Sequence, residues 1–238
     1  MPPAAPHLEA KVNRNTSPAL DAAPSSRQDL SMNASRDEYA RMAPLYDAAT
    51  AWALDPIRRD VARFAAGRGP ALDVCCGTGR QCLYLQRGGV RTVGLDNSAA
   101  MLGKAASLPG GPSFVRGDAA RLPFADARFA FTCVTLALHE KPPALRPSIV
   151  SEMIRVTAPG GRLAVVDYLA PTGAFQKAAT LAFKAVERLA GREHHAFYAH
   201  YMHGGGLEGL LAGLGLKPLS VNRRFLGVIG IALIERPA

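Results

Sequence analysis

The chain is poor in cysteine, has a single tryptophan and lacks any long apolar run, and each shortage removes a class of protein. Four cysteines in 238 residues, with no C-x-x-C pair, make neither a disulfide framework nor a thiolate zinc site of familiar spacing. They are Cys75, Cys76, Cys82 and Cys133, three of them at or beside one glycine-rich turn. Cys75 and Cys133 fall on expected core strands, where a free thiol behaves as a small hydrophobe. The compartment this suggests is reducing cytoplasm. No apolar stretch reaches the roughly 20 residues of a helical membrane span. Dense basic runs with interleaved aromatics are missing too, although the net charge is +9. The excess is arginine scattered from Arg58 to Arg224, which argues against a nucleic-acid partner. An anionic small molecule or lipid surface suits it better.

What is present is one well-stocked domain. Hydrophobic residues make up 48% and charged residues 20%, close to the usual soluble composition. Residues 1–38, rich in Pro, Ala, Ser and Asn, read as a disordered tail, with Met32 as an alternative start. Residues 39–238 read as a single α/β domain.

The stretch from Leu72 to Gly79, LDVCCGTG, reads as a buried strand ending in an acid, then a glycine turn, then a helix opening near Arg80. Gly77 and Gly79 can take positive φ and let the backbone approach a ligand, while the helix start offers free N–H groups. A dinucleotide fold prefers a third glycine, and Cys82 stands in its place. Asp73 would repel a pyrophosphate and suit an ammonium group. A second strand from Val90 to Leu95 stops at Asp96, about 20 residues beyond the turn, as ribose-binding acids do. The plainer reading makes Asp96 or Ser98 a cap for the helix from Ala99. A third strand near Ser113 to Val115 leads into Gly117-Asp118, and Phe129 to Leu138 reads as a central strand. A helix over Leu145 to Val156 is stopped by Pro159-Gly160-Gly161, and a strand follows from Arg162 to Tyr168.

These blocks, in this order, resemble the class I S-adenosylmethionine-dependent methyltransferases. The likeness runs from about Tyr39 to Tyr168 and again, more weakly, from Gly205 to Glu235. Within that superfamily, YARMAPLYDAA and the double cysteine are similar to the group holding the ubiquinone and menaquinone biosynthesis C-methyltransferases. The resemblance implies a Rossmann-like, seven-stranded, mostly parallel sheet with a C-terminal antiparallel hairpin and a helical lid insertion. It implies S-adenosylmethionine as cofactor, with contacts from Tyr46, Asp73, Cys76, Gly77, Thr78, Gly79, Asp96, Asn97, Met101, Asp118, Ala119 and Thr135. Asp118 and Ala119 would face the adenine. LALHEKPP after the fourth strand departs from the quinone enzymes, so the methyl acceptor stays open: a small molecule, lipophilic or quinone-like. A nicotinamide-dependent oxidoreductase and a non-catalytic cofactor-binding protein are the alternative classes.

Residues 172–204 form the expected lid. Phe175, Ala179, Ala182, Phe183, Val186 and Leu189 recur at helical spacing, an amphipathic pattern that fits a cover over the site or a peripheral membrane contact. His194, His195, His200 and His203 follow, at a spacing that matches no familiar zinc pattern, so no metal site is assigned. His139, just past the fourth strand, is the expected catalytic base. Leu207 to Leu214 reads as a helix, and Leu216 to Val221 and Phe225 to Ile234 as the last strands.

Overall fold

The structure is a computed structural model describing residues 43–108, 112–189 and 191–236; the expected tail over 1–38 lies outside them. The apolar runs become strands because they are buried on both faces. β1 (Ala71–Val74) is wholly buried and β4 (Phe129–Thr135) nearly so. β2 (Thr92–Asp96) pairs in parallel with β1 on one side and with β3 (Ser113–Arg116) on the other. β4 lies on β1's other side and pairs in parallel with β5 (Thr157–Tyr168). β7 (Ile229–Glu235) runs antiparallel to both β5 and β6 (Ser220–Arg224). The order is β3-β2-β1-β4-β5-β7-β6, the expected Rossmann-like sheet with its antiparallel end. Chain order reverses between β1 and β4, and ligands in such sheets bind outside the strands' carboxyl ends at that point.

Helices cover the sheet where their apolar stripes demand it. α1 (Ala43–Ala65) buries Leu54, Ile57, Val61 and Ala65, and α2 (Arg80–Arg87) follows the glycine turn. α3 (Ala99–Ala105) starts at Ser98, whose Oγ accepts from the Met101 N–H at 3.1 Å. α4 (Leu145–Val156) turns Ile149, Val150, Met153 and Val156 inward. α5 (Ala174–Leu189), α6 (Arg192–His203) and α7 (Gly206–Gly213) lie between β5 and β6 in the chain.

Several strand limits differ from expectation. β4 ends at Thr135 rather than Leu138, because Leu136 turns to positive φ. β2 starts at Thr92, because the Val90 N–H still bonds the Leu85 carbonyl behind α2. β5 begins at Thr157, across the Pro-Gly-Gly segment, since Thr157 pairs with Phe129 before a bulge. β6 begins only at Ser220. Phe225–Gly227 is a 3-10 turn with Phe225 and Leu226 at positive φ, so β7 opens at Ile229.

Candidate active site

A cavity of about 190 Å³ opens at the carboxyl ends of β1, β2 and β4, where the chain order reverses. Its floor is set by strained backbone. Cys75 follows β1 at φ 56° and Leu136 follows β4 at φ 52°, and both line the cavity. A left-handed non-glycine residue costs about 1–2 kcal/mol, and such strain collects at ligand sites. Cys75 is therefore a turn residue on the cavity wall, not the core-strand hydrophobe expected. Burial pushes its thiol up to about 12, so it is no ready nucleophile.

Of the expected cofactor contacts, Gly77, Asp96, Asn97, Met101, Asp118, Ala119 and Thr135 line this cavity together. Asp96 Oδ2 accepts from the Gly77 N–H at 2.8 Å, and its Oδ1 from the Ser98 N–H at 2.9 Å. The acid thus ties the glycine turn to β2 while still facing the cavity, and Ser98 is the cap. Asp118 Oδ1 accepts from the Ala120 N–H at 2.9 Å. Thr135 Oγ1 is buried with no hydrogen-bond partner.

Four of the expected contacts are placed off this lining. Asp73 is 1% exposed and lies inside the fold. Its register neighbour Cys133 donates to Oδ1 at 3.4 Å, and Cys82 of α2 donates to Oδ2 at 3.2 Å. Burial raises its carboxyl to about 7, against the two thiol bonds that pull it down. Asp73 points into the sheet–helix layer rather than onto the cavity lining, because alternation along β1 aims it at α2. Thr78 turns away too, donating to Asp47 of α1 at 2.8 Å. Cys76 is buried facing Gly94, where a Cβ would meet both its sulfur and that of Cys82 at 2.8 Å. Gly79 lies off the cavity at φ 75°, and a Cβ there would meet Phe114 at 2.5 Å. This is the tight helix–strand approach expected of a third glycine. Tyr46 lies on α1, and its side chain is outside what the structure describes.

His139 is 2% exposed and beside the cavity rather than on its lining. Its Nδ1 stands 2.7 Å from Oδ1 of Asp167, a wholly buried acid of β5. Asp167 Oδ2 also accepts from the N–H groups of Leu138 and His139. Three tyrosine rings, Tyr168, Tyr198 and Tyr201, surround the imidazole. Sequence reasoning passed over Asp167, although an acid inside an apolar strand needs a buried partner and so signals one. It also missed Glu140 and Lys141, which line the cavity, and the approach of His194 to His139.

Arg146 of α4 binds the His139 loop to α6. Its Nε donates to the carbonyls of Leu138 and Lys141 at 3.0 and 2.9 Å, and its Nη2 to that of Phe197 at 2.7 Å. Its guanidinium also lies over the Tyr201 ring at 5.1 Å.

Known proteins share parts of this chain and its fold. Residues 71–161 match the family described as a methyltransferase domain. An uncharacterized methyltransferase of Synechocystis is 42% identical over 101 residues, covering 42% of this chain and 48% of that protein. The demethylmenaquinone methyltransferase of Beutenbergia cavernae is 36% identical over 138 residues, 57% of each chain. The chain thus spans about half the length of these relatives. Among solved structures, the PH0226 protein of Pyrococcus horikoshii superposes with TM-score 0.62 at 18% identity, covering 84% of this chain and 99% of that one. A Thermotoga maritima protein described as a possible histamine N-methyltransferase gives TM-score 0.61 at 14% identity, covering 84% and 98%. At these identities the structures show a shared fold.

Proposed function

We propose that the protein transfers a methyl group from S-adenosylmethionine to a small-molecule acceptor. The observation that carries this reading is the cavity at the β1/β4 reversal, walled by Asp96 and Asp118 and holding the unpartnered Thr135 Oγ1. Those residues fit the cofactor. Two acids supply acceptors for hydroxyl or amine hydrogens, the open space at Gly77 (φ 53°) leaves its backbone approachable, and Leu95, Met101, Ala119 and Ile149 supply apolar contact. When bound, S-adenosylmethionine supplies a methyl group already activated by a positively charged sulfur.

The chain's own residues then have three tasks. Asp96 and Asp118 hold and orient. The apolar walls exclude water, which favours transfer between correctly placed partners. At the acceptor end, Asp167 keeps the Nδ1 proton of His139 and leaves Nε2 as the basic atom. We assign that atom to the acceptor's polar group, as the catalytic residue.

A lipophilic or quinone-like acceptor is supported by the relatives' names and by large apolar side chains left exposed on the surface. Trp52 of α1, Phe175 and Leu181 of α5 and Leu226 are all more than half exposed. Joined to the positive net charge, that surface suits peripheral contact with an anionic bilayer. α5 and α6 act as the lid over the acceptor end, and the four free cysteines suit the reducing cytoplasm. Among the described residues no helix is long and apolar enough to cross a membrane.

The test is methyl transfer itself. Incubated with methyl-labelled S-adenosylmethionine and fractionated bacterial extract, the protein should label a small organic compound. Asp96→Ala should bind the cofactor roughly tenfold or more weakly, the usual loss for hydrogen bonds to a charged acceptor. Labelling confined to nucleic acid or protein would refute the small-molecule assignment.

A further inference from the structure

One cluster beside the cavity is not needed for cofactor binding. His139 Nε2 and His194 Nε2 each stand 3.8 Å from Glu140 Oε1, and the three ligand atoms lie within 4.8 Å of one another. Among the described residues this is the single such group of histidine, cysteine or acid side chains. Two imidazoles and one carboxylate form the donor set of open, catalytic metal sites. Around a tetrahedral ion with bonds of about 2.0–2.1 Å, neighbouring ligands stand about 3.3 Å apart. Each histidine–glutamate pair therefore has to close by about half an ångström, and the histidine pair, within 4.8 Å, by up to about 1.5 Å, which side-chain rotations of Glu140 and His194 supply. We propose that His139, Glu140 and His194 bind a first-row divalent cation whose open position takes an oxygen or sulfur of the methyl acceptor.

Three observations support the site beyond proximity. Asp167 receives the Nδ1–H of His139 at 2.7 Å, the outer contact that metal-bound histidines nearly always have and that fixes Nε2 as the ligand. Asp167 is itself immobilised by the N–H groups of Leu138, His139 and Tyr168. Glu140 and His194 retain 19% and 18% of their side-chain exposure, which leaves a path for the ion. The location gives the cation a task. Glu140 belongs both to this cluster and to the cavity wall, so the ion sits where the cavity meets α6. With the ion bound, the His139 Nε2 lone pair is a ligand and the ion meets the acceptor in its place; direct contact of Nε2 with the acceptor belongs to the metal-free protein. An acceptor hydroxyl or thiol then binds as its anion, and its proton passes to solvent.

The inference rests on the methyltransferase reading only for the acceptor's position, and its test is independent of turnover. The full-length chain, stripped with chelator, is titrated with Zn²⁺ by calorimetry and with Co²⁺ by visible absorption. One equivalent should bind, with the cobalt spectrum of a four- or five-coordinate site. Glu140→Gln, which preserves shape, and His194→Ala, on a partly exposed helix face, should each lower affinity at least about 100-fold, as losing a ligand exceeds losing an outer contact. His203→Ala, an exposed histidine of the same helix, should change nothing. Absence of stoichiometric binding would overturn the site, and so would binding that survives both ligand substitutions. A chain that binds Zn²⁺ this way but not S-adenosylmethionine would keep the site and refute the methyltransferase reading.

Discussion

At the scale of single residues, the buried acid Asp73 makes the sharpest prediction. Its folded carboxyl titrates near 7, against an unfolded value near 3.9. Between those values the folded state holds a proton that the unfolded chain has lost. That stabilisation is complete below about pH 4 and disappears as pH rises to about 7, a change on the order of a few kcal/mol. Asp73→Asn should flatten this limb in urea-unfolding midpoints measured from pH 4 to 8; an unchanged slope would show that Asp73 is ionised in the fold. Gly94 makes a second prediction. A methyl there must displace two sulfurs and Phe114, all at 2.8 Å. Gly94→Ala should therefore cost about 1–3 kcal/mol, the range for overpacking, read as a lowered thermal midpoint. Neither constraint was visible in the sequence as such. The acid before a glycine turn pointed outward to a ligand, and only the register with Cys133 and the position of α2 show that it points inward.

Between elements, the question is what holds the helices over the site. α1 is fastened to the glycine turn by Thr78–Asp47 and to α2 by the two-pronged Arg80–Asp55 pair, at 2.9 and 2.7 Å. The Arg80 guanidinium holds the Asp55 carboxyl well below the usual carboxylate range, so this fastening is present above about pH 4 and weakens as pH falls further. Arg146 does the same for α6. A lysine cannot reproduce its fork of donors, so Arg146→Lys should raise hydrogen-exchange rates in α6 by roughly tenfold (~1.4 kcal/mol) while leaving those of β4 and β5 unchanged. Equal exchange in both proteins would show that α6 is held by its apolar face alone. The helices themselves were legible from periodicity: α4 matches its expected limits. The strand limits were less so, because β5 gains its first residues from a pairing with Phe129 across a Pro-Gly-Gly segment that by itself reads as a stop. What joined His194 to His139 was invisible for a similar reason: the two lie on separate elements, and spacing along one segment cannot report a meeting between two.

For the whole molecule, the sheet was legible through the resemblance carried by blocks from Tyr39 to Tyr168 and from Gly205 to Glu235, and the observed order matches it. Asp96, Asp118 and Thr135 come together at the cavity because each lies at or just past the carboxyl end of a parallel strand, and parallel strands end on one side. Of the exposed apolar residues, Phe175 lies on the amphipathic stripe expected for α5, whereas the stripe's Ala179 and Phe183 pack against the core, and Trp52, Leu181 and Leu226 lie outside it. Trp52 is the sole tryptophan and 77% exposed, so its fluorescence is a clean reporter. Vesicles rich in anionic lipid should shift its emission to the blue and co-sediment the protein, and added salt should reverse both. Emission unchanged by such vesicles would remove the membrane from the account.

The central claim is that the crevice between β1 and β4 takes an adenosine bearing an amino acid through sulfur. Calorimetric titration of the purified protein with S-adenosylmethionine and, in parallel, with nicotinamide dinucleotides tests it most directly. One equivalent of S-adenosylmethionine should bind, and the dinucleotides should give no saturable heat. Saturable binding of a dinucleotide with none of S-adenosylmethionine would contradict it.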